Sequence, residues 1–468
     1  MNIISLFSFS ILLLINTLIK CAKNPSIDFI PNFRSQIIID ITIGAQDFKV
    51  LLDTSSVFLW LFNVNNTSPA ASNKHTFNPS KSPTFTPVKY SMNPSYIKGN
   101  LTGTFGKDDL VIGKDITISN FSFFLVETSN NIADEISDVD GVLGIGFNYE
   151  DHPDLIQFSL LEQMSNKNMI DSKMFNIKFK NEYKGTISFG DLITEEITDL
   201  YNGTCQPYKI EEGTEIAKWK CKPTRIELGN LDKNISEAYN EPAQLVFDTS
   251  IDYLLVPSDF FIYKIKRYLL KNEIELNICK EGTISKNEVT YITIKCNQLL
   301  EFGLIYNIYF VFDSYAMMYS PIDMFYQTEE EGQKIYTLKI LSIYGNSRWI
   351  IGQPVLKNFY MVFDKSNEII QFSSRDYLIN LNQKTYQVLF FVFIVGCITV
   401  LLLIGGYSLF SFLNKKYDFD IEDKNYRPPS DGGEDKPHYD LSLSISKDSL
   451  VPKVDFEESV SEEFELKQ

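Results

Sequence analysis

From Ser35 to about Phe372, apolar residues fall in short runs that alternate with polar ones and are broken by Gly, Pro, Asn and Asp. Ile37-Ile38-Ile39-Asp40-Ile41-Thr42-Ile43, Thr186-Ile187-Ser188-Phe189 and Phe359-Tyr360-Met361-Val362-Phe363 are of this kind. Short runs rich in β-branched and aromatic residues between turn formers predict strands, so this stretch is mainly β, its first strand near Ser35. Helical periodicity is scarce. The best case is Ser258 to Glu273, where Phe261, Ile265, Tyr268 and Leu269 share a face and Ser258 stands where an N-cap belongs. Asp154 to Asn166 is a second candidate.

Two longer apolar runs interrupt this pattern. Ile3 to Ile19, ending in Lys20-Cys21-Ala22, reads as a secretory signal peptide over residues 1–22, although its start lacks a basic residue. Val388 to Leu413 carries no charge and is long enough to cross roughly 30 Å of hydrocarbon. Lys415 and Lys416 follow directly, which places the C-terminus in the cytosol. Residues 414–468 are acidic, Ser-rich and without periodicity, a composition that cannot offset its ordering entropy and predicts a disordered cytosolic tail.

The formal net charge of −17 excludes the basic surface that a nucleic-acid partner requires. N-x-S/T sequons at Asn65 or Asn66, Asn100, Asn120, Asn202 and Asn234 all precede the span, as expected for a luminal or extracellular ectodomain in the secretory pathway or at the cell surface. Cys205, Cys221, Cys279 and Cys296 lie in the same segment. In an oxidising compartment they read as two local disulfides, 205–221 and 279–296, with other pairings left open.

The chemistry lies in a repeat. Val50-Leu51-Leu52-Asp53-Thr54-Ser55 and Leu245-Val246-Phe247-Asp248-Thr249-Ser250 each run an apolar strand into Asp-Thr-Ser. Each is followed, after a long β segment, by an apolar pair and a glycine: Val142-Leu143-Gly144 and Ile350-Ile351-Gly352. This predicts a duplicated β domain, 35–192 and 193–376. Asp53 and Asp248 would meet between the copies. Two carboxylates in contact cannot both ionise, so the pair shares a proton and can serve as base and acid at once. Other mechanisms lack their parts. Only His75, His152 and His438 are present, scattered along the chain, with no HExxH, G-x-S-x-G or phosphate loop.

These residues resemble the pepsin-like aspartic proteases, for which the shared proton is the standard illustration. Asp53-Thr54-Ser55-Ser56-Val57-Phe58-Leu59-Trp60 resembles the family's D-T-G-S-S-x-x-W, and Phe77-Asn78-Pro79-Ser80-Lys81-Ser82 its F-x-P-S-x-S turn. Tyr96 to Gly106 resembles the flap, and Asp140-Gly141-Val142-Leu143-Gly144 the D-G-I-L-G beneath the first aspartate. Trp349-Ile350-Ile351-Gly352 and Val362-Phe363-Asp364 resemble the last strands, and Cys279–Cys296 the disulfide of the C-terminal lobe. The first half resembles the family over nearly its full length, the second half more loosely.

The resemblance implies a bilobal β fold and an endopeptidase that binds an extended polypeptide and needs no metal or organic cofactor. Thr54 and Thr249 would hydrogen-bond across to the opposite loop, Ser56 would donate to Asp53, and Tyr96 would close over the cleft with Trp60 as its partner. Both halves lie in one chain, so a monomer suffices. Plasmepsin V and beta-secretase, membrane-anchored members of the family, are tethered in a comparable way. The few residues between the signal and Ser35 leave no room for the long basic prosegment of pepsin-like zymogens, which implies synthesis without an inhibitory propeptide. Four positions depart from the pattern. Ser55 and Ser250 replace Gly, Ile97 replaces the flap Gly, and Ile251 replaces a hydroxyl residue, removing a donor to Asp248 and predicting a pH optimum nearer neutral. The rival reading is a non-catalytic pepsin-fold receptor or peptide-binding protein.

Overall fold

The computed structural model describes residues 25–92, 95–96, 99–130, 136–147, 153–181, 183–190, 201–205, 219–230, 235–239, 243–286, 289–330, 332–374, 376–381 and 383–422. The described residues up to Leu389 belong to one compact unit, and those from Phe390 to a second. The expected signal peptide, most of the expected tail, Ile97 and Asn234 lie outside the described residues.

The first unit is built almost entirely of strands. Its first strand, Ser26–Pro31, begins earlier than the expected start near Ser35. Ile27, Phe29 and Pro31 point inward, and the strand pairs antiparallel with Lys184–Phe189. From there a sheet of 14 strands runs in two directions. One way it passes through Lys184–Phe189 and Met174–Asn181 to Tyr360–Asp364, Ile369–Ser374 and Tyr201–Cys205, which joins both halves of the sequence. At this seam Phe175 faces Phe363 in register, their rings stacked 4.8 Å apart. Trp219 packs edge-on against Phe363 and Phe147, and its indole N–H donates to Ile145 O at 3.1 Å. The other way the sheet continues through Ile37–Ile43 and Gln46–Asp53 into the first half.

Each half then repeats one local device. Gln46–Asp53 lies parallel to Gly141–Gly144, with Asp53 opposite Gly144, and Gly141–Gly144 is flanked on its other side by antiparallel Leu59–Phe62. In the second half Leu245–Phe247 lies parallel to Trp349–Ile351, which is flanked by antiparallel Leu254–Leu255. The glycine that ends each inner strand has no room for a side chain. A Cβ on Gly144 would stand 2.7 Å from Phe58 N and O, and one on Gly352 would stand 2.2 Å from Tyr253 O. That close approach explains why an apolar pair and then Gly recurs in both copies.

The helix beginning at Ser258 differs from expectation in two ways. Pro257 occupies the N-cap position without a side-chain bond, so Ser258 is the first helical residue and does not cap. Phe261–Leu269 is wound as a π-helix, with Leu270 N–H bonded to Ile265 O at 2.9 Å, and still buries Phe261, Ile265 and Leu269. The second candidate is a 3-10 turn, Pro153–Phe158, followed by a short α-helix, Leu160–Asn166, that Ser159 caps through Glu162 N–H at 3.3 Å. Disulfides join Cys205 to Cys221 and Cys279 to Cys296; the latter two face each other directly in register.

A helix, Gln383–Glu422, contains the apolar stretch Phe393–Leu413, 21 residues of mean hydropathy 2.3 and exposed throughout. It runs on past Leu413 to Glu422, into residues expected to be disordered. No Pro or Gly stands between Leu413 and Pro428 to break it.

Candidate active site

Asp53 is the last residue of Gln46–Asp53, and Asp248 follows Leu245–Phe247 directly. Both are buried, 0% and 1% exposed, at the ends of apolar strands whose parallel partners fix their direction. A strand that stops in Asp-Thr-Ser turns its carboxylate back onto its own loop. Ser55 N–H and Ser55 Oγ both donate to Asp53 Oδ1 at 2.7 Å, and Ser56 Oγ donates to Asp53 Oδ2 at 2.8 Å. In the second copy Ser250 N–H donates to Asp248 Oδ1 at 2.9 Å, joined there by Ser250 Oγ. Asp248 therefore has a side-chain donor despite Ile251, and it comes from the residue that replaces glycine.

The two loops exchange threonines. Thr54 Oγ1 donates to Phe247 O at 2.7 Å and accepts from Thr249 N–H at 3.1 Å. Thr249 Oγ1 donates to Leu52 O at 3.0 Å and accepts from Thr54 N–H at 3.2 Å. Each hydroxyl is thus donor and acceptor at once across the approximate two-fold axis, and no buried polar atom of the exchange is left over. Two glutamines that sequence reasoning passed over brace the second loop: Gln36 Nε2 donates to Ser250 O at 2.6 Å and Gln353 Nε2 to Thr249 O at 2.8 Å. Their only sequence signal was an amide beside an otherwise apolar strand.

Apolar clusters occupy equivalent positions after each aspartate. Val57, Phe58 and Trp60 pack with Phe105, Phe124 and Phe158 in the first half, and Ile251, Tyr253 and Leu255 with Leu341 and Ile350 in the second. Such surroundings strengthen electrostatic interactions by excluding water. Trp60 is 1% exposed, and its indole N–H has no acceptor among the described residues. Tyr96 lies on a short strand, Ser95–Tyr96, paired with Asn100 and Gly99; its side chain lies outside the described residues, so its expected bond to Trp60 does too.

Among the sequons, Asn65, Asn100 and Asn120 are exposed. Asn66 is half-buried, donating Nδ2 to Val126 O at 3.0 Å and accepting from Ser68 N–H at 2.8 Å. Asn202 lies in Tyr201–Cys205 opposite Ser373.

The threonine exchange ties together the two loops that carry the buried aspartates. Comparison with known proteins agrees. The eukaryotic aspartyl protease family matches residues 36–375. The chain belongs to that family. It is 24% identical to embryonic pepsinogen of Gallus gallus over 339 residues, covering 70% of this chain and 77% of that protein. To gastricsin of Oryctolagus cuniculus it is 25% identical over 338 residues, 72% of this chain and 80% of the relative. To pepsin A of Callithrix jacchus the identity is 24% over 337 residues, with coverage of 70% and 78%. An eukaryotic aspartyl protease with pepsin and gastricsin relatives is an aspartic-type endopeptidase, whose substrate is a peptide.

Proposed function

We propose that this aspartyl protease is tethered to a membrane and cuts extended polypeptides by water attack, with Asp53 and Asp248 sharing one proton. One carboxylate draws a proton from the attacking water while the other donates to the scissile carbonyl oxygen. The roles belong to the pair and exchange as the proton moves. Two lobes, 35–192 and 193–376, hold the substrate between them by strand-like backbone contacts, with alternate side chains entering pockets. The observation that carries this reading is the reciprocal Thr54–Thr249 exchange beneath two buried aspartates. Tyr96 acts as the closing residue of the flap.

The exposed apolar helix supports the tether. Val388 to Leu413 crosses the bilayer once, Lys415 and Lys416 hold the following tail in the cytosol, and the catalytic lobes face the lumen or the outside. Glycans at Asn65, Asn100, Asn120, Asn202 and Asn234 fit that orientation.

The test is hydrolysis of a peptide library by the full chain in detergent micelles between pH 3 and pH 7. Cleavage that pepstatin blocks and Asp53→Ala abolishes is the expected result. Binding of peptides without cleavage at any pH would favour the receptor reading instead.

A further inference from the structure

The two serines that stand in place of glycine both turn their hydroxyls onto the catalytic carboxylates. Ser55 Oγ reaches Asp53 Oδ1 at 2.7 Å, on the same oxygen that Ser55 N–H holds. Ser250 Oγ makes the same contact with Asp248 Oδ1. The serines are 3% and 0% exposed, so solvent does not substitute for either hydroxyl. Glycine at these positions would supply the backbone N–H alone. We propose that Ser55 and Ser250 are a matched pair of positioning residues, whose hydroxyls clamp Oδ1 of each catalytic aspartate and hold its carboxylate in the plane that the reaction needs. The proposal rests on the endopeptidase reading above.

Two donors on one carboxylate oxygen fix the plane of the group and stabilise its charge, because a charge-assisted hydrogen bond is lost when the acceptor is neutralised. The copies are not equal. Asp53 has a further side-chain donor in Ser56 at 2.8 Å, whereas the equivalent residue in the second loop is Ile251, which has no hydroxyl. The elements packed on the loops bring neutral amides, Gln36 and Gln353. Charged groups on those elements are engaged among themselves. Asp252 is held by Lys286 at 3.0 Å and Arg34 at 3.9 Å, and Asp140 takes Lys49 N–H and His75 N–H, both at 2.9 Å, with the His75 ring 3.7 Å away.

The experiment compares the full chain with Ser55→Gly, Ser250→Gly and the corresponding alanine variants, following kcat and KM from pH 2 to pH 7. Ser250→Gly and Ser55→Gly should each lower kcat about tenfold, with KM within about twofold of the parent, the split expected of a positioning residue. Thermal denaturation supplies a reading that does not depend on turnover. The glycine variants should melt below the parent, because each loses a hydroxyl bond to a buried carboxylate. Variants that match the parent in both kcat and melting temperature would overturn the clamp. An inactive parent chain would count against the endopeptidase reading, while the melting gap would still decide the clamp.

Discussion

Replacing Thr54 with valine keeps the size and β-branching of the side chain but removes its hydroxyl. Two of the four cross-loop bonds go with it, the 2.7 Å bond to Phe247 O and the 3.1 Å bond from Thr249 N–H. Phe247 is 0% and Thr249 2% exposed, so neither orphaned backbone group can turn to water. A buried polar group left without a partner costs about 1–3 kcal/mol, which puts the loss at about 2–6 kcal/mol for the two. For a unit of this size that is a fall in melting temperature of about 3–8 °C. The catalytic cost should be larger in proportion. Thr54 adjoins Asp53, and a shift of about 1 Å in a reacting group lowers turnover about a hundredfold. Thermal denaturation and kcat of Thr54→Val, Thr54→Ser and the parent chain test this. Serine retains the hydroxyl and should restore most of both quantities. A valine variant that melts and turns over like the parent would show that the exchange does not hold the dyad.

Gly352→Ala should destabilise the chain by several kcal/mol and abolish activity, since its Cβ would stand 2.2 Å from Tyr253 O and 2.7 Å from Ile251 O; soluble, active protein would refute this. Burial, with a smaller push from Lys357, brings the Lys339 ammonium down to about 8, so charging it costs stability in full below that value and not at all above the unfolded value of 10.5. Lys339→Met should therefore raise stability at pH 7 by about 1–3 kcal/mol and lose that advantage by pH 10.5, and an equal gain at both pH values would contradict the assignment. Of the overlapping sequons, Asn65→Gln should remove one glycan by mass spectrometry and Asn66→Gln none, because the Asn66 amide is already bonded to Val126 O.

The features of the site that survive in local sequence are those set by local geometry. Asp-Thr-Ser after an apolar strand, and the glycine whose Cβ would stand 2.7 Å or less from neighbouring backbone, leave a signature wherever they occur, and both occur twice. Both disulfides link cysteines close in sequence, so they too were legible. Long-range contacts leave no such trace. Gln36 reaches Ser250 across 214 residues, and no neighbour of Gln36 announces it. Ser55 and Ser250 look like departures when compared residue by residue, because whether a hydroxyl meets a carboxylate depends on a rotamer. The strand Ser26–Pro31 was readable from its alternation but lies close behind the apolar run Ile3 to Ile19, which drew the reading of a leader. The π-helix at Phe261–Leu269 reflects packing that spacing alone does not distinguish from an α-helix.

The central claim is that Asp53 and Asp248 act as one unit. Measuring kcat/KM for Asp53→Asn, Asp248→Asn and the double variant tests it most directly. Groups that work together lose nearly everything with the first removal, so each single variant should fall by about four orders of magnitude or more and the double variant no further. Losses that multiply, or one asparagine variant that keeps a tenth of the parent activity, would contradict the account.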